Sequence, residues 1–150
     1  SRHVDTFLDA DFTWEKFENA YRNELANDYG NLVQRLSVLC QKNGVPKIDF
    51  HSNLNGAYAD LMDQFEFTNA INFAWSMVQD VNRHIEEQKP WQIAKTDMAE
   101  AKVVLTNLVE ELLVANHHLK PFLPIAETVE QIFVGDGEIL PPKTPLFPKD

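Results

Sequence analysis

Apolar residues along most of this chain recur at three- and four-residue spacing, the period of an α-helix with one buried face. Leu25, Tyr29, Leu32, Leu36 and Leu39 form the first such stripe. Thr13 is a good N-cap for the helix that carries it, and Glu15 falls in the first turn, where the helix dipole favours a carboxylate. Asn43-Gly44 followed by Pro46 supplies the stop. The pattern predicts a helix of about thirty residues, long for a globular domain. Gly30 sits inside it at a cost of about 1 kcal/mol against Ala, marking a kink or a close helix contact.

Residues 45–53 read as a loop and Leu54 to Gln64 as a second helix. A break is expected at Phe65-Glu-Phe67, because Thr68 is a good N-cap for a third helix. That helix carries Ile71, Trp75, Val78, Val81 and Ile85 on one face and ends near Gln88. Pro90-Trp91 marks a connection. A fourth helix runs from Asp97 to His118 with Val104, Leu108, Leu112 and Ala115 as its stripe, and Lys120-Pro-Phe-Leu-Pro124 breaks the chain. A short fifth helix spans Ile125 to Val134. After Gly135-Asp-Gly137 the tail is extended, with Pro141, Pro142, Pro145 and Pro148. Its Leu140, Leu146 and Phe147 are expected to lie against a surface. Phe65, Phe67, Phe73 and Trp75 fall where core aromatics belong. The expected fold is all-α: one domain over residues 1–150, a helical bundle of about five mostly antiparallel helices with an extended C-terminal tail.

Composition narrows the class. The chain has 150 residues, enough for one core. With 44% hydrophobic and 24% charged residues it is ordinary for a soluble protein. No apolar run approaches the roughly 18 residues of a membrane span, so no membrane partner is expected. Ser1-Arg-His-Val-Asp5 has neither the apolar core of a signal peptide nor an initiator Met, so the chain reads as processed or cut from something longer, and a cytoplasmic location fits. Cys40 is the single cysteine, which allows no internal disulfide; on an apolar helical stretch it reads as a buried, inert thiol. The net charge of −10 argues against a general nucleic-acid binder, DNA included, because such affinity comes from neutralising phosphates with Lys and Arg. It leaves room for recognition of a few exposed bases.

The search for chemistry removes most candidates. No Glu is followed three residues on by His, as di-iron bundles require, and the reversed pair His84 and Glu87 reads as a solvated face. His117-His118 reads as a cationic cap near a helix C-terminus. Glu86-Glu87 and Glu110-Glu111 read as solvated faces. Phosphate-binding glycine loops and nucleophile elbows are absent from the sequence, as is the Cys-x-x-Cys pair that zinc would need. No catalytic residue, metal ligand or resident cofactor is expected in these 150 residues.

Three side chains remain. With Leu32 and Leu36 at the centre of the buried face, 100° per residue puts Arg35 to one side of it and Asn31 a little further out, at the shoulder of the core. Asn27 continues that row into solvent. Downstream, Trp91 follows a proline, with Lys89 and Lys95 making the corner locally positive. Amide, guanidinium and indole are the groups that read a splayed-out RNA base, by edge hydrogen bonds and stacking. Each also has a plain structural role: a helix-contact hydrogen bond for Asn31, a weak surface ion pair for Arg35, a bundle plug for Trp91.

The order of these motifs resembles the C-terminal anticodon-binding domain of the methionyl-tRNA synthetases, a class I aminoacyl-tRNA synthetase family. The matching pieces are Asp11-Phe-Thr-Trp-Glu-Lys-Phe17, Tyr21-Arg-Asn-Glu-Leu-Ala-Asn-Asp-Tyr-Gly-Asn-Leu-Val-Gln-Arg35, Asn82-Arg-His-Ile85, Lys89-Pro-Trp-Gln-Ile-Ala-Lys95, Leu119-Lys-Pro-Phe-Leu-Pro124 and the Pro-Leu-Phe-Pro148 tail. The Asn-Leu-x-x-Arg stretch with the later Pro-Trp is specific, since sister synthetases share the bundle but not this pairing. The resemblance implies a domain that reads the CAU anticodon of tRNA. Trp91 would stack on an anticodon base, and Asn31 and Arg35 would hydrogen-bond to bases. Asn27, Lys89 and Lys95 are candidate supporting contacts, and Asn82 is expected to be structural. The tail would return toward the catalytic domain of the same synthetase. The His-Ile-Gly-His and Lys-Met-Ser-Lys-Ser signatures are absent, as are the family's zinc-binding insertion and any appended module. ATP with Mg, methionine activation and tRNA charging would therefore belong to a catalytic domain outside these residues. The competing expectation is a helical-bundle protein-interaction module without RNA contact, which an acidic surface and an apolar tail also suit.

Overall fold

The computed structural model of the chain describes residues 24, 26–50, 67–121, 123 and 125–143, with only the backbone of 26 and 67–71. The expected helix start at Thr13, the second helix over Leu54 to Gln64, Phe65 and the tail residues Pro145, Leu146, Phe147 and Pro148 lie outside the described residues. The architecture is all-α. In chain order the helices are α1 (Ala26–Lys42), α2 (Phe67–Gln88), α3 (Pro90–Ile93), α4 (Met98–Leu119) and α5 (Ala126–Phe133). Among the described residues there is no β-strand, only two isolated bridges, Pro46 with Glu138 and Ile48 with Val134.

α4 is the central helix. Going along α2 from Phe73 to His84 means going back along α4, since Phe73 meets the ring of His118 and His84 meets Glu111. Tyr29 of α1 and Gly44 just past its end likewise lie beside Asn116 and Lys102 of α4. Both helices therefore run antiparallel to α4 and parallel to each other. That explains the width of the buried surface on α4: besides the expected Leu108, Leu112 and Ala115, it buries Leu105, Val109, Leu113 and Leu119, while Val104 is half-buried. A helix covered on two sides cannot keep a single narrow stripe. On α1 the expected Tyr29, Leu32 and Leu36 are buried, joined by Val33 and Cys40, and on α2 so are Trp75, Val78, Val81 and Ile85.

Helix ends follow their local chemistry. The side chain of Asp97 accepts the backbone N–H of Glu100 at 3.0 Å and starts α4. α1 ends at Lys42 and is closed off two residues on by Gly44, whose φ of +70° only glycine adopts freely; the N–H of Val45 returns to the carbonyl of Cys40 at 2.9 Å. One buried network ties three helices together. The Tyr29 hydroxyl donates to Asn116 Oδ1, and Asn116 Nδ2 donates to the carbonyl of Ala126 at 2.8 Å.

Several expectations are corrected. Phe73 is 47% exposed. It lies about 100° off the inward row of Ala74, Val78, Val81 and Ile85, and its ring meets that of His118 in a T-shaped contact. Glu111 is no solvated residue: it is half-buried and accepts the His84 Nδ1–H across the α2–α4 seam at 2.7 Å, so His84 is an inter-helix residue too. His118 does not cap α4. It is buried and its Nδ1 donates at 2.8 Å to the carbonyl of Val114, a group within the helix rather than one of its terminal orphans. In the tail, Ile139 is buried and Leu140 is 53% exposed, because the bridge at Glu138 sets which side chain turns inward. The Pro90-Trp91 connection is itself a helical turn, α3.

Candidate nucleic-acid interface

The site forms where the end of α2, the start of α3 and the middle of α1 meet. Lys89 makes this corner. It adopts the left-handed conformation (φ 47°, ψ 62°), uncommon for a residue with a side chain and costing about 1–2 kcal/mol. The residue before a proline is also pushed out of the right-handed helical region, so the α2 helix cannot simply continue. Lys89 N–H still bonds back to the carbonyl of Ile85 at 3.0 Å, while its own carbonyl accepts Gln92 N–H at 2.9 Å and opens α3. Pro90, buried at the first turn of α3, suits a position where no N–H donor is needed. The chain thus turns within one residue and delivers Trp91 back toward α1.

Trp91 is half-buried and packs against the core. The guanidinium of Arg35 lies over its ring, 5.1 Å from the centroid, in a cation–π contact. Arg35 also forms an ion pair with Glu86, Nη1 to Oε1 at 2.5 Å. The Arg35 side chain is 38% exposed, at the shoulder of the core as its register predicts. Asn31, one helical turn earlier on the same side, is exposed, and so is Asn27 a turn before that. Lys89 and Lys95 are exposed at the two ends of α3, and Asn82 is half-buried on α2.

The structure therefore brings Arg35 and Trp91 into contact, with Asn31 as the neighbouring exposed amide. Asn27, Lys89 and Lys95 border this surface without joining the contact. Glu86 is exposed, as expected for a solvated face, and its ion pair with Arg35 adds it to the constellation. Nothing in the sequence marks it, because its pairing with Arg35 joins two helices far apart in the chain. Chemically, the arrangement offers a π surface, a fixed planar cation and an exposed amide on one face. Among the described residues, no group of three or more His, Cys, Asp or Glu side chains could hold a metal ion. No described helix is long and apolar enough to cross a membrane.

A scan against models of protein families gave no match. Curated relatives did. The chain is 32% identical over 153 aligned residues to the methionine–tRNA ligase of Listeria innocua, covering 91% of this chain and 23% of the relative. It is 34% identical over 149 residues to that of Bifidobacterium longum subsp. infantis, covering 89% and 24%. With the Thermotoga maritima enzyme the identity is 29% over 140 residues, covering 83% and 22%. A solved structure of Mycobacterium tuberculosis methionyl-tRNA synthetase in complex with methionyl-adenylate shares the fold, with a TM-score of 0.60 at 22% identity over 91% of this chain and 33% of that one. The chain spans about a quarter of the length of the curated relatives it matches. By identity over nearly all of its own length the chain belongs to the methionyl-tRNA synthetase family, and it shares its fold with the solved structure.

Proposed function

We propose that this segment reads the CAU anticodon of tRNA on the face carrying Asn31, Arg35 and Trp91. The observation that supports it best is the guanidinium of Arg35 held over the half-buried ring of Trp91, with an exposed amide one turn away. A rigid aromatic offers a stacking surface for any base, worth about 1–3 kcal/mol per base. The guanidinium and the amide offer the directional hydrogen bonds that distinguish one base edge from another. Lys89 and Lys95 supply local positive charge to a chain whose net charge is −10. Such a balance provides few phosphate contacts, so most of the electrostatic affinity is assigned to the rest of the synthetase.

In this reading the whole enzyme, a cytoplasmic ligase, forms methionyl-adenylate from methionine and ATP with Mg, and transfers the methionyl group to tRNA. Its catalytic domain is the second partner of this segment and holds the ATP; this segment contributes recognition and no chemistry. The test is a titration with two RNA stem-loops, one presenting CAU and one an altered anticodon. Binding at least tenfold tighter to CAU supports the assignment. Equal weak binding to both points instead to a protein-interaction module.

A further inference from the structure

Glu86 pairs with Arg35 but has no part in the proposed base recognition, and its position gives it a role of its own. In the structure the guanidinium of Arg35 has two partners at once: the ring of Trp91 and the carboxylate of Glu86. Trp91 already gives part of its surface to the core, and Arg35 lies over its ring. The two groups that would serve a base are thus engaged with each other, and a carboxylate at 2.5 Å holds the cation there. We propose that Glu86 is a latch: it pins Arg35 over Trp91 until a single-stranded RNA base takes the guanidinium from it and occupies the ring.

This rests on the RNA-binding reading of the same face. The physical argument is one of competition. A carboxylate and a base edge both accept from the same planar donor. A base that takes the Nη1 donors or the face of the Trp91 ring therefore competes with the Arg35–Glu86 pair, and the apparent affinity falls by the fraction of molecules held closed. The pair is exposed, with Glu86 62% accessible, so the latch is weak and reversible. A carboxylate beside a phosphate-bearing ligand also repels it, which makes Glu86 a second selector against RNAs that cannot engage Arg35.

The experiment compares the wild-type domain with Glu86→Gln and Glu87→Gln. Glu87 neighbours Glu86 on α2 and lies 4.0 Å from Arg83 rather than at the site. Both substitutions remove one negative charge, but only the first releases Arg35. The expected result is a CAU stem-loop affinity about two- to fivefold higher for Glu86→Gln and a smaller change for Glu87→Gln. Equal gains in both would reduce the effect to net charge. A loss of affinity in Glu86→Gln would make Glu86 a support for the bound geometry, and either result overturns the latch. A second readout needs no RNA: the indole N–H resonance of Trp91 should move in Glu86→Gln and stay in Glu87→Gln. If no protein binds the stem-loop, the RNA reading fails on its own, and an unmoved indole resonance in Glu86→Gln separately refutes the pinning.

Discussion

Replacing Trp91 by alanine separates recognition from folding. The substitution removes a half-buried indole that carries the guanidinium of Arg35 at 5.1 Å. A fully buried Trp costs about 3–5 kcal/mol on truncation, and a half-buried one about half that, near 2 kcal/mol. The lost cation–π contact adds about 0.5–1 kcal/mol. Against a typical stability of about 5–15 kcal/mol, the variant stays folded. Its effect on RNA is separate: losing one stacked base at about 1–3 kcal/mol weakens binding roughly five- to 150-fold. In a full-length synthetase carrying this segment, Trp91→Ala should therefore raise KM for tRNA by that range and leave methionine-dependent ATP–pyrophosphate exchange unchanged. Trp91→Phe, which keeps a π face, should recover most of the loss. A folded Trp91→Ala variant with unaltered KM for tRNA would refute the stacking role. Equal loss in both assays would mean that the substitution damages the enzyme generally.

Tyr29→Phe should destabilise the domain by about 1–3 kcal/mol, because it leaves the buried Oδ1 of Asn116 without its donor; an unchanged urea midpoint would refute that account. His117 has its pKa lowered, first by burial and then by Lys120 and His118, so the folded state binds this proton less readily than the unfolded state. Its contribution to stability is complete above the ordinary histidine range and declines as pH falls below about 6.5. The melting temperature should drop on that side, and His117→Gln should flatten the slope. Burial pushes the Cys40 thiol up to about 12, so it should ignore a disulfide reagent at pH 8 in the folded domain and react once urea unfolds it; a prompt reaction without denaturant would contradict the buried position.

The stripes of α1 and α2, the start of α4 near Asp97 and the stop at Asn43-Gly44 were readable because each depends on residues within a few positions of one another. So was the exposure of the Arg35–Asn31 edge, which follows from the 100° step once Leu32 and Leu36 are taken as buried. Phe73, Glu111 and His118 were not readable, since whether a flanking position is covered depends on which helix lies beside it. The sequence by itself determined an all-helical fold, the stop after α1 and which side chains stand at the shoulder of the core; it misplaced the start of α2, where Phe67 precedes the expected cap Thr68 within the helix. Only the tertiary structure decided that α4 is the shared partner of α1 and α2. The left-handed turn at Lys89 then swings Trp91 under Arg35, where Glu86 completes the group. Local signals set periodicity, but a contact between α1, α2 and α3 exists only after their packing on α4 has fixed their relative places.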